Sequence, residues 1–339
     1  IGMKAVYLEA PGVIYMKEIE MPKSKPGYAL IKVKAASICG SDVGAFRGNN
    51  VLVTYPRILG HEVAGEIVEI EPNEKGLNPG DRVILDPYVY CGKCYPCSIG
   101  RTNCCENLEV LGVHRDGGMA EYFSHPDHLL HKVPEGIEWD LVPLAEPLTI
   151  SLHSIHRAGL KAGEHITIIG AGPIGLVVAL AAMEYGAIPV LIDMLDERLE
   201  YAKSLGVVNT INGGKTDALQ AIKVLTAGVM SQVVVEASGS NQAIRATLDY
   251  VSYAGRIVFT GWPKADTELP TAMITKKELD LRGSRTSAGE FKEALDLILE
   301  SKVNVGATIS KRVAFEDLAQ AVIDQSSTPE KYLKIISVF

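Results

Sequence analysis

The sequence predicts an α/β protein with two parts, a β-rich barrel-like domain and a doubly wound parallel sheet. Three observations carry that prediction. Before Leu85 the apolar residues fall in short runs divided by glycine and proline turns, the pattern of a β-rich domain. After Gly163 apolar β-branched runs alternate with stretches of helical spacing. Between one such run and one such helix lies Gly170-Ala171-Gly172-Pro173-Ile174-Gly175, a strand, turn and helix in the order a dinucleotide-binding unit needs.

Taken in order, Met3-Lys4-Ala5-Val6-Tyr7 alternates, Val13-Ile14-Tyr15-Met16 follows the Pro11-Gly12 turn, and Leu30 to Ala35 alternates after Pro26-Gly27. Ile67 to Ile70 and Val83-Ile84-Leu85 flank the Asn78-Pro79-Gly80-Asp81 turn. From Glu146-Pro147 the period becomes helical. Strands are then expected at Ile166–Ile169, Val190–Asp193, Val208–Ile211, Val233–Val235, Ile257–Thr260 and Leu279–Arg282, with helices at Glu197–Leu205, Thr216–Leu225 and Ala243–Tyr253. The tail predicts helices at Phe291–Glu300 and Phe315–Asp324, then a closing strand from Lys334 to Val338 that rejoins the first domain.

In the glycine turn, Gly170 permits the tight bend and Gly172 a close backbone approach to a pyrophosphate. Gly175 lets the helix pack on the strand with its N-terminal amides facing the phosphates. The next strand ends in Asp193. A carboxylate there accepts hydrogen bonds from the adenosine ribose and repels a 2′-phosphate, so NAD is expected over NADP.

Cys91-x2-Cys94-x2-Cys97-x7-Cys105 gathers thiols in one loop-rich stretch, a pattern expected to close a tetrahedral structural zinc. Spacing alone leaves Cys104 and Cys105 equivalent. A second, dispersed set comprises Cys39 in Cys39-Gly40-Ser41-Asp42, His61 and Glu62 after Gly60, and Glu146 in Glu146-Pro147-Leu148. A thiolate, an imidazole and carboxylates make a mixed site that leaves a position for a substrate oxygen. Taken singly, each of these residues is as well explained as a buried or capping side chain.

With 339 residues, 47% hydrophobic and 22% charged, the composition is that of an ordinary globular protein. A net charge of −8 and the lack of any basic run argue against a nucleic-acid surface. No stretch reads as a membrane span or a signal peptide, and the cysteine spacing fits a reducing compartment; a soluble cytoplasmic protein is expected. Met3 is the expected natural start, with Ile1-Gly2 an added remnant.

These motifs, with Asp116-Gly117-Gly118-Met119-Ala120-Glu121-Tyr122, occur in one order and spacing, and on them the chain resembles the zinc-dependent medium-chain dehydrogenases along essentially its full length. The resemblance implies a GroES-like catalytic domain over residues 1–148 and 286–339, carrying a structural zinc lobe at about 88–108. A Rossmann NAD-binding domain spans 149–285, and the assembly is a homodimer or homotetramer. It implies two zinc ions per chain. Cys39, His61 and Glu62 hold the catalytic one, with Glu146 bound directly or through water. Cys91, Cys94, Cys97 and Cys105 hold the structural one. Asp42 is placed to orient His61, and Ser41 to bond the substrate hydroxyl and pass its proton outward. Lys334 is implied to reach a cofactor phosphate and Arg198 to cover the adenine. Ser238, Gly261 and Arg285 join Gly170, Gly172, Pro173, Ile174, Gly175 and Asp193 in the cofactor site.

One departure from the family pattern is Gly44, where many relatives carry a histidine that ends the proton relay. Within the family, Tyr55-Pro56-Arg57, Gly112-Val113-His114 and Gly283-Ser284-Arg285 look most like the L-galactonate and L-gulonate 5-dehydrogenases. Arg57, His114 and Arg285 are then donors for a hydroxylated, carboxylate-bearing substrate, alongside Ser41 and Glu146. The implied reaction oxidises a secondary alcohol of a sugar acid or polyol to a ketone, with zinc acidifying the hydroxyl and NAD receiving the hydride. The competing readings are an L-threonine 3-dehydrogenase, a sorbitol or hexitol-phosphate dehydrogenase, and a zinc-binding NAD-sensing regulatory protein.

Overall fold

The computed structural model describes residues 2–339; the expectation for Ile1 lies outside the described residues. The chain divides into two compact units. The first runs to Glu146 and resumes at Phe291–Ser301 and Val305–Phe339; the second is Pro147–Glu290 with Lys302–Asn304. The crossings fall at 146/147 and 290/291, against breaks expected at 148/149 and 285/286.

The second unit is built on six parallel strands. Their spatial order is Asn209–Asn212, Ile188–Asp193, His165–Ile169, Ser231–Glu236, Val251–Phe259 and Asp280–Gly283, which is third, second, first, fourth, fifth and sixth along the chain. Helices Pro173–Glu184, Asp196–Ser204, Ala218–Leu225, Asn241–Tyr250 and Thr271–Lys277 carry the chain from each strand to the next. Val190, Val234 and Ile257 are fully buried between strands and helices, which is why these strands read as continuous apolar runs. The order reverses beside His165–Ile169. Ligands of such sheets bind at that reversal, beyond the carboxyl ends of the strands.

The first unit centres on a seven-stranded sheet. Its order is Leu130–Lys132, Arg82–Leu85, Glu62–Glu69, Tyr28–Ser37, Lys334–Val338 and Ile309–Val313, with Tyr122–Pro126 also paired to Tyr28–Ser37. The closing strand Lys334–Val338 has the expected bounds and runs antiparallel to Tyr28–Ser37. Its partner Ile309–Val313 was missed in the sequence because Ser310, Lys311 and Arg312 are all exposed, leaving no apolar alternation to detect. Among the described residues no helix is long and apolar enough to cross a membrane, and all six cysteines are free thiols.

Candidate metal and active site

The strand Tyr28–Ser37 leaves its sheet where the Ile38 N–H donates to the Ile335 carbonyl (3.0 Å). Cys39 follows at once as the N-cap of the helix Gly40–Arg47. This short helix was not foreseen. His61 enters from the other side, after Gly60, whose φ of +115° suits glycine. A Cβ on Gly60 would lie 2.6 Å from the Met119 amide nitrogen. The Gly118 N–H donates to the Gly60 carbonyl at 2.9 Å. The Gly60-His61-Glu62 and Asp116–Tyr122 motifs are thus two halves of one tightly packed backbone contact. Glu62 begins the strand Glu62–Glu69 directly opposite Ser37.

The result is a cluster in which Cys39 Sγ, a His61 ring nitrogen and a Glu62 oxygen all lie within 4.8 Å of one another. His61 Nε2 stands 3.8 Å from Glu62 Oε2. Glu146 opens the helix Ala145–Ala158 and accepts a hydrogen bond from the Tyr88 hydroxyl. It faces the same cluster, being electrostatically coupled to Glu62 and His61. Burial, with the Glu62 charge second, pushes its carboxyl up to about 7. Burial also raises the Asp42 carboxyl. For His61 burial favours the neutral ring, but Cys39, then Asp42 and Glu146, outweigh it and hold its pKa well above the usual value. One thiol and three carboxyl groups, set against one imidazole and one ammonium, form a donor set that favours a bound cation. Sulfur, nitrogen and oxygen donors suit zinc.

Two expectations change here. Lys334 was expected at a cofactor phosphate, but it is buried with its ammonium 2.7 Å from both Glu62 oxygens and 3.2 Å from the Ile38 carbonyl. The cause is register: the closing strand lies beside Tyr28–Ser37, so its first residue runs beneath the Cys39 turn. This ammonium, together with His61 and the Ser37 hydroxyl, lowers the Glu62 pKa against the opposing effect of burial. Asp42 was expected to orient His61. Its Oδ2 instead accepts the Cys39 N–H (2.9 Å), and Oδ1 lies 3.8 Å from His61 Nδ1, too far for a hydrogen bond. Asp42 caps the helix and adds charge; the buried Nδ1 has no hydrogen-bond partner.

The remaining predicted side chains are more dispersed. Ser41 sits in the first helical turn after Cys39, partly buried. Arg57 is held by Asp116 (3.3 Å) and the Thr54 hydroxyl (2.6 Å). His114 Nδ1 accepts the Val110 N–H at 3.0 Å, closing a tight turn. Both are anchored by their own neighbourhood.

In the cysteine loop, the sulfurs of Cys91, Cys94, Cys97 and Cys105 lie within 4.8 Å of one another, and Cys104 is outside the group. The ambiguity left by spacing is thereby resolved geometrically. The Cys91 and Asn107 N–H groups point at Cys105 Sγ (3.3 and 3.4 Å), and the Lys93 N–H points at Cys91 Sγ (3.4 Å). That last contact is the main reason the Cys91 thiol falls to about 6, while desolvation and neighbouring sulfurs push Cys97 up to about 12. Four converging sulfurs with amide support fit a closed zinc site.

In the second unit, Gly170 has φ +109° and a Cβ on Gly175 would lie 1.7 Å from the Gly170 carbonyl oxygen. Gly172 caps the helix Pro173–Glu184, with Pro173 at its first position, where no N–H is needed. The Ile174 carbonyl accepts the Ser151 hydroxyl (3.0 Å). Asp193 ties the turn down, accepting the Ala171 and Leu195 N–H groups at 2.9 and 3.0 Å. The nearest side-chain atom to a Cβ built on Gly172 is the Arg198 guanidinium, 3.7 Å away, so Arg198 lies beside the glycine turn. Ser238 donates both its hydroxyl and its N–H to the fully buried Glu236, which also takes the Gly239 N–H at 3.0 Å. A Cβ on Gly261 would meet the Gly239 nitrogen at 2.3 Å and Glu236 at 2.8 Å, so its small size serves this packing. Arg285 follows the strand Asp280–Gly283 and is partly buried.

Comparison with known proteins agrees with this architecture. The profile of the alcohol dehydrogenase GroES-like domain matches residues 25–135, and that of the zinc-binding dehydrogenases matches residues 173–300. An uncharacterized zinc-type alcohol dehydrogenase-like protein of Haemophilus influenzae is 56% identical over 99% of both chains. The L-galactonate-5-dehydrogenase of Escherichia coli is 35% identical over 94% of both. The chain belongs to the zinc-type medium-chain dehydrogenase family. A crystal structure of a family member, the short chain alcohol dehydrogenase rspB of Escherichia coli CFT073 complexed with NADH, superposes with a TM-score of 0.93. It is 32% identical and covers 100% of this chain and 99% of that one. Like its relatives, this zinc-type dehydrogenase is an oxidoreductase of the alcohol and polyol class.

Sequence reasoning missed three groups in this dehydrogenase. Ser37 and Tyr88 bond the two cluster glutamates, and Glu236 organises the loop after the fourth parallel strand. Tyr88 stands two residues beyond Asp86, in a Pro-flanked segment that leads into the cysteine loop. That placement was the only signal for it.

Proposed function

We propose that this protein is a zinc-dependent, NAD-linked dehydrogenase that oxidises a secondary hydroxyl of a sugar acid or polyol to a ketone, with L-galactonate- or L-gulonate-like aldonates as its substrates. The observation that carries this reading is the convergence of Cys39, His61 and Glu62 within 4.8 Å, with Glu146 facing them. When bound, zinc supplies a Lewis acid for the hydroxyl and NAD the hydride acceptor. The chain's own residues do the rest. Cys39 and His61 hold the ion from two backbone segments, one placed by the Ile38–Ile335 hydrogen bond and the other by the Gly60–Gly118 contact. Lys334 and Ser37 keep Glu62 charged and oriented. Ser41, adjacent in the helix, accepts the hydroxyl proton as it gives up its own, and because Gly44 offers no imidazole that proton leaves by water, the ribose hydroxyls or another side chain. Gly170, Gly172, Gly175 and Asp193 hold the dinucleotide.

The substrate class rests on the likeness to L-galactonate-5-dehydrogenase and on arginine's bidentate match to carboxylates, with Arg57, His114 and Arg285 as the candidate donors. The four-cysteine loop holds a second, structural zinc. We place the protein in the cytoplasm as a homodimer or homotetramer.

The test is an NAD-reduction screen of the zinc-loaded protein over aldonates, hexitols, hexitol phosphates and threonine. The reading expects the highest turnover on an aldonate. Best turnover on threonine or a hexitol would move the protein to a neighbouring branch, and best turnover on a simple primary alcohol would overturn the sugar-acid assignment.

A further inference from the structure

Leu130–Lys132 is an edge strand, paired on one side only with Arg82–Leu85. Next to it a cavity of about 440 Å³ is lined by residues of this strand, of the loop bearing Lys75 and Leu77, and of the helix Phe291–Leu299. That volume falls within the roughly 300–1,000 Å³ of small-molecule sites. Buried Leu77, Leu130 and Leu295 give it an apolar floor. His131 contributes a rigid wall, stacked on Phe291 (4.5 Å between centroids, 15° between planes) and held by Asp86 at 3.2 Å.

The rim is cationic in a chain of net charge −8, with Lys75, Lys132 and Lys292 contributing three ammonium groups. Two of these have acidic partners: Lys132 lies 3.5 Å from Asp81, and Lys292 lies 2.8 Å from Asp296. Lys75 differs. Although exposed along its length, it turns its ammonium inward onto the Leu130 carbonyl at 2.6 Å, and among the described residues no carboxylate oxygen lies within 4.0 Å of it. An ammonium set against an apolar floor with no carboxylate in direct contact, only the more distant charges of Asp86 and Asp127, is incompletely compensated. Desolvation lowers the Lys75 pKa and outweighs the opposing pull of Asp86 and Asp127.

We propose that this cavity is a second ligand site, outside the metal cluster and the glycine turn, for a small organic anion whose carboxylate or phosphate seats on Lys75 and whose apolar body lies on Leu77, Leu130 and Leu295. Lys132 supplies longer-range attraction. The site is independent of the reaction proposed above.

The test is calorimetric titration of the zinc-loaded protein, with NAD at saturation, using benzoate and phenyl phosphate as probes and benzamide as the neutral isostere. At least one anion is expected to bind saturably, with benzamide at least about tenfold weaker. Lys75→Gln should weaken the anion about tenfold or more, equivalent to about 1.4 kcal/mol, while leaving turnover without the anion unchanged. Lys132→Gln should weaken it about twofold to fivefold, a milder loss in keeping with a rim charge, and Cys39→Ser should leave it unchanged. Should Lys75→Gln fail to fold, Lys132→Gln and the benzamide comparison decide. Absence of binding by both anions, equal binding of benzamide, affinity indifferent to both lysine substitutions, or loss of binding in Cys39→Ser would each overturn the proposal.

Discussion

Glu62 shows how one side chain can be fixed by residues that no local pattern connects. Its carboxylate is fully buried and carries Lys334 on both oxygens. Removing one partner of such a pair leaves an uncompensated buried charge, which typically costs about 3–5 kcal/mol. Lys334→Met should therefore destabilise the protein by about 3 kcal/mol or more in urea denaturation; a loss below about 1 kcal/mol would show that the pair adds little. His125 provides a pH test. Burial lowers its pKa to about 4 from 6.5, and the ring stays neutral while bonded to the Asp86 carbonyl at 2.8 Å. Because the folded value is the lower one, its contribution is complete above 6.5 and is lost as pH falls through about 4. Stability should drop by about 3 kcal/mol over that interval from this residue, and His125→Phe should flatten that part of the profile. At this scale the convergence of Cys39 with His61, and of Cys91, Cys94, Cys97 and Cys105 with one another, was legible because thiols and imidazoles are scarce and carry motif spacing. Lys334, Ser37 and Tyr88 were not: a lysine, a serine and a tyrosine gain meaning only from the strand register that brings them to the glutamates.

At the scale of elements, the legible pieces were those whose pattern and burial agree. The inner strands His165–Ile169, Ile188–Asp193 and Ser231–Glu236 of the parallel sheet are largely buried on both faces and stood out as apolar runs. The helix Gly40–Arg47 was hidden by its length and by glycines at 40 and 44, and Thr271–Lys277 has no buried residue to give it a period. The turn at Gly170–Gly175 is the element most exposed to a single substitution. Gly175→Ala places a methyl 1.7 Å from a carbonyl oxygen, so the helix Pro173–Glu184 must move. NADH affinity should fall about tenfold or more in a fluorescence titration, and an unchanged affinity would remove this helix from the pyrophosphate site. In the cysteine loop, Cys91→Ser should release one zinc and lower the melting temperature by several degrees, about 1–3 kcal/mol of stability. A calorimetric scan showing no shift would mean the loop folds without metal.

At the scale of the whole molecule, the first unit is begun by one stretch of chain and completed by another after the parallel-sheet unit has been inserted. The sequence hinted at this through the closing strand, which has the apolar character of the first sheet rather than the next step of a strand–helix repeat. The domain breaks were less legible, because the helix Ala145–Ala158 runs unbroken across the first crossing, with Pro147 in its first turn, where a proline starts a helix rather than ending it. What the architecture achieves is to hold a mixed donor cluster, built from residues as far apart as Cys39 and Glu146, in a chain that also carries a dinucleotide turn. The most direct test measures zinc content, NADH affinity and NAD-linked turnover together in the wild-type protein and in Cys39→Ser. The account predicts two zinc ions per chain in the wild type and one in the variant, with NADH affinity retained and turnover lost by about a thousandfold or more. A variant that keeps both ions, or that loses one and still turns over at the wild-type rate, would contradict it.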